Sequence, residues 1–305
     1  MKTLRQTLDE YLELRRSLGF KLCKAGARLP KFLAFMEERK AAYITTTGAF
    51  EWALQSSGWG TRSRLSLIRG FAKYVAAFDA RTEVPSPALM PKRPPRPRPY
   101  IYSDEEVRRL LITARKYPHD QPRGTYHCLL GLLAVSGLRP GEAIGLRVDD
   151  VDLTAGILTI QGAKFGKSRL VPLHPTTVNE LRKYKRRRDR FLAGHSSHHF
   201  FVSRIGTKLS HKQTCLIFRR LSVLTGLRKS LSGRGPRLHD FRHRFAVKTL
   251  IDWYRTGQDV EQRLPMLSTF LGHISVECTY WYLSEYPELM TLAVRRLNAR
   301  WEGML

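Results

Sequence analysis

Acidic residues are scarce in this chain, and where they are scarcest limits what it can do. Only 26 Asp and Glu stand against 53 Lys and Arg in 305 residues, a formal charge of +27. From Gln161 to Leu250 the only acids are Glu180, Asp189 and Asp240, against 22 basic residues. So few carboxylates deny that stretch the clustered ligands a metal-dependent nuclease needs. Cysteine is sparse too. Cys23, Cys128, Cys215 and Cys278 form no C-x-x-C pair. That excludes the usual zinc spacing and gives no disulfide framework, as expected in a reducing compartment. No apolar run reaches the roughly 18 residues of a membrane span, and Met1–Arg5 leads into no apolar signal core. A cytoplasmic chain without membrane contact is expected.

What is abundant is positive charge, whose natural partner is a polyanion, with double-stranded DNA favoured over an acidic membrane. At 42% hydrophobic residues the chain can bury ordinary cores, and its length suggests two domains. A proline- and arginine-rich segment, PSPALMPKRPPRPRP (85–99), separates two helical regions. Prolines 94, 95, 97 and 99 withhold backbone donors and favour an extended, stiff linker. The spacing therefore predicts a helical domain over 1–84, a linker over 85–100 and a second domain over 101–305.

Before the linker, apolar residues recur at helical spacing in four stripes. They are Leu4 to Leu18, Leu29 to Met36, Phe50 to Leu54 after a Thr45–Thr47 cap signal, and Leu65 to Val75. Trp52 and the phenylalanines read as core. After the linker, Ser103-Asp104-Glu105-Glu106 is a capping box opening a helix to about Lys116. Tyr126–Val135 reads as a buried helix that Gly137 ends. Val151–Leu153, Ile157–Ile160 and Leu170–Leu173 are short β-branched runs with glycines between them, which predicts a small antiparallel sheet. Helices are expected again at about 175–190, 211–226, 239–254, 259–270, 276–282 and 286–300. Asp240 is expected to cap its helix. The class is mainly α with one small antiparallel β-sheet.

The chemistry lies in three segments: VSGLRPGE (135–142), LHDFRHRFA (238–246) and LGHISVECTYWYL (271–283). Together they supply Arg139, His239, Arg242, His273 and Tyr282. Two guanidiniums can neutralise the non-bridging oxygens of a phosphodiester, an imidazole can move protons, and a phenol can become the covalent nucleophile. Glu142, three residues after Arg139, is placed to hold that guanidinium. His239 and Arg242 share a helix face at i, i+3, and His243 could approach it, with packing or a phosphate contact as its expected role. Arg244 is rotated by about 200° from Arg242 and points elsewhere. The cluster HSSHH (195–199) has no nearby Cys, Asp or Glu, so His195, His198 and His199 read as solvated rather than as metal ligands.

In order and wording these segments closely resemble the tyrosine recombinases, the phage integrase family. The resemblance is strong over about 101–290 and only architectural over the N-terminal bundle, which it makes a core-binding domain of a C-shaped clamp on duplex DNA. It implies a site-specific recombinase that cleaves and rejoins strands through a 3′-phosphotyrosyl intermediate, with neither metal nor ATP. In the resemblance Arg139 and Arg242 stabilise the transition state, His239 acts as base or donor, and His273 contacts a phosphate oxygen. Tyr282, nine residues after His273, is the nucleophile in preference to Tyr280 or Tyr286. Lys164, in GAKFGKSRLVPLH (162–174), takes the place of the hairpin lysine that protonates the leaving 5′-oxygen, with Lys167 second. Phe165 stands where the family often has glycine. The family also implies a homo-tetramer on paired DNA sites, with room for accessory DNA-bending or element-encoded proteins. Its tail, Ser284–Leu305, would insert into a neighbouring protomer or dock as a helix on its own domain, two placements that the sequence leaves open. Two other readings remain: a strand-relaxing enzyme of the type IB topoisomerase kind, and a DNA-binding relative without catalysis.

Overall fold

The computed structural model describes residues 2–57, 59–89, 98–118, 122–161 and 168–302. Lys164, Lys167 and the linker prolines 94, 95 and 97 lie outside them. Two compact units divide the chain, Met1–Arg96 and Pro97–Leu305.

The first unit is a bundle of α1 (Leu4–Ser17), α2 (Cys23–Glu38), α3 (Thr46–Leu54) and α4 (Trp59–Val75). Two of these starts have a local cause. Thr3 and Gln6 form a reciprocal capping box, and the Thr45 hydroxyl accepts the amide of Gly48. Leu8, Leu29, Phe32, Trp52, Leu65, Ile68 and Phe71 close into one buried cluster. Phe32 and Trp52 meet edge-on with centroids 5.4 Å apart, which places Trp52 in the core.

The second unit is built around α6 (Thr125–Ser136), with nine of its 12 residues buried. A helix apolar on every side must be surrounded. Packed against it are α5 (Asp104–Arg115), α7 (Pro140–Gly145), α8 (Pro175–Leu192) and α10 (Asp240–Arg255). The Ser103–Glu106 capping box starts α5 as expected. Strands β1 (Val151–Asp152), β2 (Ile157–Ile160) and β3 (Arg169–Pro172) form an antiparallel sheet in sequence order. Leu158 faces Val171 across it, and both side chains are buried. Helix α9 (His211–Leu224) starts at a Ser210 cap and α11 (Val260–Leu271) at Asp259. Helices α12 (Glu277–Glu285) and α13 (Pro287–Glu302) complete the chain. The protein is thus mainly α with one small antiparallel sheet. Among the described residues no helix is long and apolar enough to cross a membrane.

One expectation needs correcting. The tail packs in part on its own domain, one of the two placements left open. Helix α13 packs on α10 and α12, and Leu289 is fully buried beside Ala246, Leu250 and Tyr282. Arg296 donates to the Gln258 carbonyl, and Arg255 pairs with Glu288. Met290, Val294, Leu297 and Trp301 on the same helix stay exposed. Asp240, expected to cap α10, does not. His239 occupies the cap position, and Asp240 instead accepts the backbone N–H and guanidinium of Arg237, each at 2.8 Å.

Candidate active site

Two helix ends build the site. Gly137 closes α6 at φ +59°, and a Cβ there would lie 2.6 Å from Phe245 Cδ1 and 2.8 Å from Leu271 Cδ2. Gly272 closes α11 at φ +66°, where a Cβ would lie 2.7 Å from an Arg169 nitrogen. Both the backbone angle and the space demand glycine. Each glycine then offers its carbonyl to an arginine. Arg242 Nη1 donates to Gly137 O at 2.9 Å, and Arg139 Nη2 donates to Gly272 O at 2.7 Å. The C-terminal ends of helices carry partial negative charge, so both seats favour a cation.

Glu142 locks this arrangement. It accepts Arg139 Nη1 at 2.7 Å and the Arg139 backbone N–H at 2.9 Å. From the other side Arg169 donates Nη2 to Glu142 at 2.7 Å and Nε to Phe270 O at 2.8 Å. Burial alone would raise the carboxyl's pKa, but the hydrogen bonds from Arg169 and Arg139 outweigh it and hold the pKa at about 2. One carboxylate thereby ties α7 to the start of β3.

The first turn of α10 brings His239, Arg242 and His243. Arg242 is only 2% exposed. Burial, then the charge of Arg139, lowers its pKa to about 10, so it stays a cation at neutral pH. Among the described residues its buried Nη2 has no hydrogen-bond partner. Such an unmet donor is costly unless something else is meant to satisfy it. Burial and the neighbouring Arg242 depress His239 to about 4, which leaves a neutral imidazole at pH 7.

The segment after α11 brings the last two groups. His273 Nδ1 lies 2.7 Å from Thr279 Oγ1, and its ring stacks on Tyr282 at 6.4 Å. Tyr282 is buried, with its hydroxyl 3.0 Å from His243 Nδ1. Trp281 meets both the Tyr282 and His243 rings edge-on. Tyr280 is 52% exposed and has no part in this cluster.

The structure thus gathers Arg139, His239, Arg242, His273 and Tyr282 from segments about 140 positions apart. Lys164 lies outside the described residues. Sequence reasoning missed Arg169, which joins Glu142 across 27 residues and Phe270 across 101. No local signal reveals a contact of that range. It also gave His243 a secondary role, although its place one helical turn after His239 was a usable signal. Arg244 turns away to Tyr102 O and Asp104, as its angle requires. His195 and His198 are exposed, and no group of three or more His, Cys, Asp or Glu gathers among the described residues.

The family model described as the phage integrase family matches residues 101–288. A Sinorhizobium fredii protein named "Putative integrase/recombinase y4rB" is 49% identical over 313 residues, covering 99% of each chain. Two solved structures share the fold. The Tn1549 transposon integrase in complex with transposon right end DNA aligns at TM-score 0.66 and 14% identity, over 97% of this chain and 100% of that one. A lambda integrase tetramer bound to a Holliday junction aligns at 0.56 and 18%, over 90% and 78%.

Proposed function

The chain belongs to the phage integrase family, and from that premise we propose that it is a site-specific DNA recombinase with Tyr282 as its covalent nucleophile. The observation that carries this reading is the seat of Tyr282. It is packed on His273 and close enough to Arg242 for a phenolate to favour the arginine's charge. Tyr282 attacks a scissile phosphate, leaving a 3′-phosphotyrosyl bond and a free 5′-hydroxyl. That hydroxyl, or one from a partner strand, reverses the step. The bond energy stays in the phosphotyrosine, so the cycle closes without ATP.

Arg139 and Arg242 hold the non-bridging oxygens as charge builds on them, and the unmet Arg242 Nη2 is one such donor. Preorganisation matters here because both guanidiniums are already fixed on helix-end carbonyls. His239, neutral at pH 7, donates its N–H to a phosphate oxygen, and His273 contacts another. Lys164 protonates the leaving 5′-oxygen. The first unit is a DNA-binding domain. The working form is a homo-tetramer on paired duplex sites, an inference supported by the tetrameric lambda integrase neighbour.

The test is covalent capture. A pool of nicked duplexes with a randomised centre is incubated with the protein, and detergent-resistant complexes are recovered and sequenced. Enriched duplexes joined to Tyr282 through a 3′-phosphate are expected. No covalent complex from any duplex overturns the reading.

A further inference from the structure

The roles above leave His243 unused, yet it touches the atom that would attack. His243 Nδ1 lies 3.0 Å from the Tyr282 hydroxyl, and the two rings are 5.6 Å apart at 60°. Both residues are buried, at 3% and 2% exposure, so water does not compete for this hydrogen bond. His239 holds a different place: its ring meets His243 edge-on at 5.0 Å. The Trp281 and His243 rings also meet edge-on at 5.7 Å. Arg242, one residue earlier on α10, fixes that turn of the helix by its bond to Gly137 O. The imidazole is thus held by packing and by its own helix, within bonding distance of one phenol.

We propose that His243 is a catalytic residue, the base that receives the Tyr282 proton as the phosphotyrosyl bond forms. The inference rests on the recombinase reading of the site. With the ring in its Nε2–H tautomer, Nδ1 accepts from the phenol and fixes the hydroxyl's rotation. During attack the Tyr282 O–H bond breaks and its proton passes to Nδ1, while the Oη–P bond forms. The P–O5′ bond breaks with its electron pair leaving on O5′, which takes a proton from a separate acid of the site or from water. On religation the 5′-hydroxyl gives its proton back to the conjugate base of that acid or to water as O5′ attacks phosphorus, the Oη–P bond breaks, and the His243 imidazolium returns its proton to the departing phenolate. A phenol with an ordinary pKa near 10 is a poor nucleophile at neutral pH, so a base in contact with it has work to do. Dividing the labour also explains two histidines one turn apart. His239, depressed to about 4, is too weak a base to take a phenolic proton but suits a neutral donor to phosphate.

The decisive experiment measures single-turnover covalent capture on the nicked duplex recovered by selection. His243→Asn keeps an acceptor near Nδ1 but cannot hold a proton. DNA binding should match wild type while capture slows by about 10²-fold or more, the usual range for losing a general base. The defect should persist when the scissile P–O5′ is replaced by a bridging 5′-phosphorothiolate, because sulfur leaves without an acid. In His243→Ala, added imidazole should restore part of the rate. In the unsubstituted protein, nitrogen-15 NMR should show Nδ1 unprotonated. Wild-type rates in His243→Asn, a defect erased by the sulfur leaving group, or a protonated Nδ1 would each overturn the assignment. No capture by the wild-type chain would instead sink the recombinase reading itself, so the two failures are distinguishable.

Discussion

The two units of this chain bury opposite things. The first buries hydrocarbon and aromatic rings with a few threonines, and its ion pairs stay outside. Lys2–Glu10, Arg5–Glu37 and Arg39–Glu51 all have both side chains at least 42% exposed. The second unit buries charge. Arg242, Asp240, Arg188, Arg228 and His243 are all under 9% exposed. Burying an ion costs several kcal/mol unless partners compensate, so a fold does not do it for stability alone. Arg188 and Arg228 are compensated by backbone carbonyls, Ser197 and His199 for the first, Gly233 and Pro236 for the second. Arg242 donates Nη1 to Gly137 O, but among the described residues its buried Nη2 has no partner. Incomplete satisfaction beside a buried tyrosine is the mark of a site built for something that arrives later.

Substitutions that separate activity from stability sharpen this contrast, and the largest effect should come from a single oxygen. Tyr282→Phe leaves the ring to stack on His273 but removes the buried hydrogen bond to His243, so DNA binding should be nearly unchanged while the fold loses about 1–3 kcal/mol. Covalent capture should vanish, whereas Tyr280→Phe, altering an exposed side chain, should retain it. Captured complex from the Tyr282→Phe protein would unseat the nucleophile. Next comes Arg242→Met, which should slow capture by about 10²- to 10³-fold, the usual loss when one preorganised oxyanion donor is removed. Because it replaces an incompletely paired buried cation with hydrocarbon, its Tm should not fall in proportion. A large drop in Tm with capture intact would make Arg242 structural.

Glu142→Gln should do the reverse to the fold. It leaves Arg139 and Arg169 without their carboxylate, and breaking such a buried pair costs about 3–5 kcal/mol. Denaturant unfolding of the full chain reads that loss. Phe32→Ala in the first unit should cost a similar amount, about 3–5 kcal/mol, by the different route of an emptied core.

Acid should weaken the second unit in two steps. Unfolded His239 takes a proton near its ordinary pKa of about 6.5, but the folded ring resists until about 4. The unfolded state binds more protons in that window, so stability is fully present above it and falls as pH drops through it, by up to about 3 kcal/mol. Glu142 adds a loss lower down, as pH falls from the ordinary carboxylate range toward about 2. His239→Gln should flatten the upper step in pH-dependent melting curves. The smallest effect belongs to the first unit's surface. Arg5→Ala removes an exposed pair with Glu37 and should leave Tm unmoved.

Most helices and the three strands among the described residues were legible in the sequence because they are marked locally. A capping box at Ser103, a buried run at 126–135 and β-branched runs divided by glycine are short-range signals. The tail was legible as a helix but not in its docking. The spacing of Leu289, Leu292 and Leu297 marks a helix, while packing decides which is covered: Leu289 is buried with α10 and α12 residues and Leu297 stays exposed. His243 shows the same limit inside the site. Its position on the helix face was readable, but its 3.0 Å approach to Tyr282 joins residues 39 apart.

By itself the sequence determined the class of fold, the family, and the five residues Arg139, His239, Arg242, His273 and Tyr282 as candidates for one site. Residue chemistry at fixed spacing is enough for that. Only the tertiary structure decided how the cations are held. Two glycine carbonyls at helix ends and one carboxylate shared by Arg139 and Arg169 fix the guanidiniums, and those bonds span 133, 105 and 27 residues. It also decided that Arg242 would be left with one donor unmet and His239 neutral, since desolvation and the nearness of like charge exist only once the chain is packed.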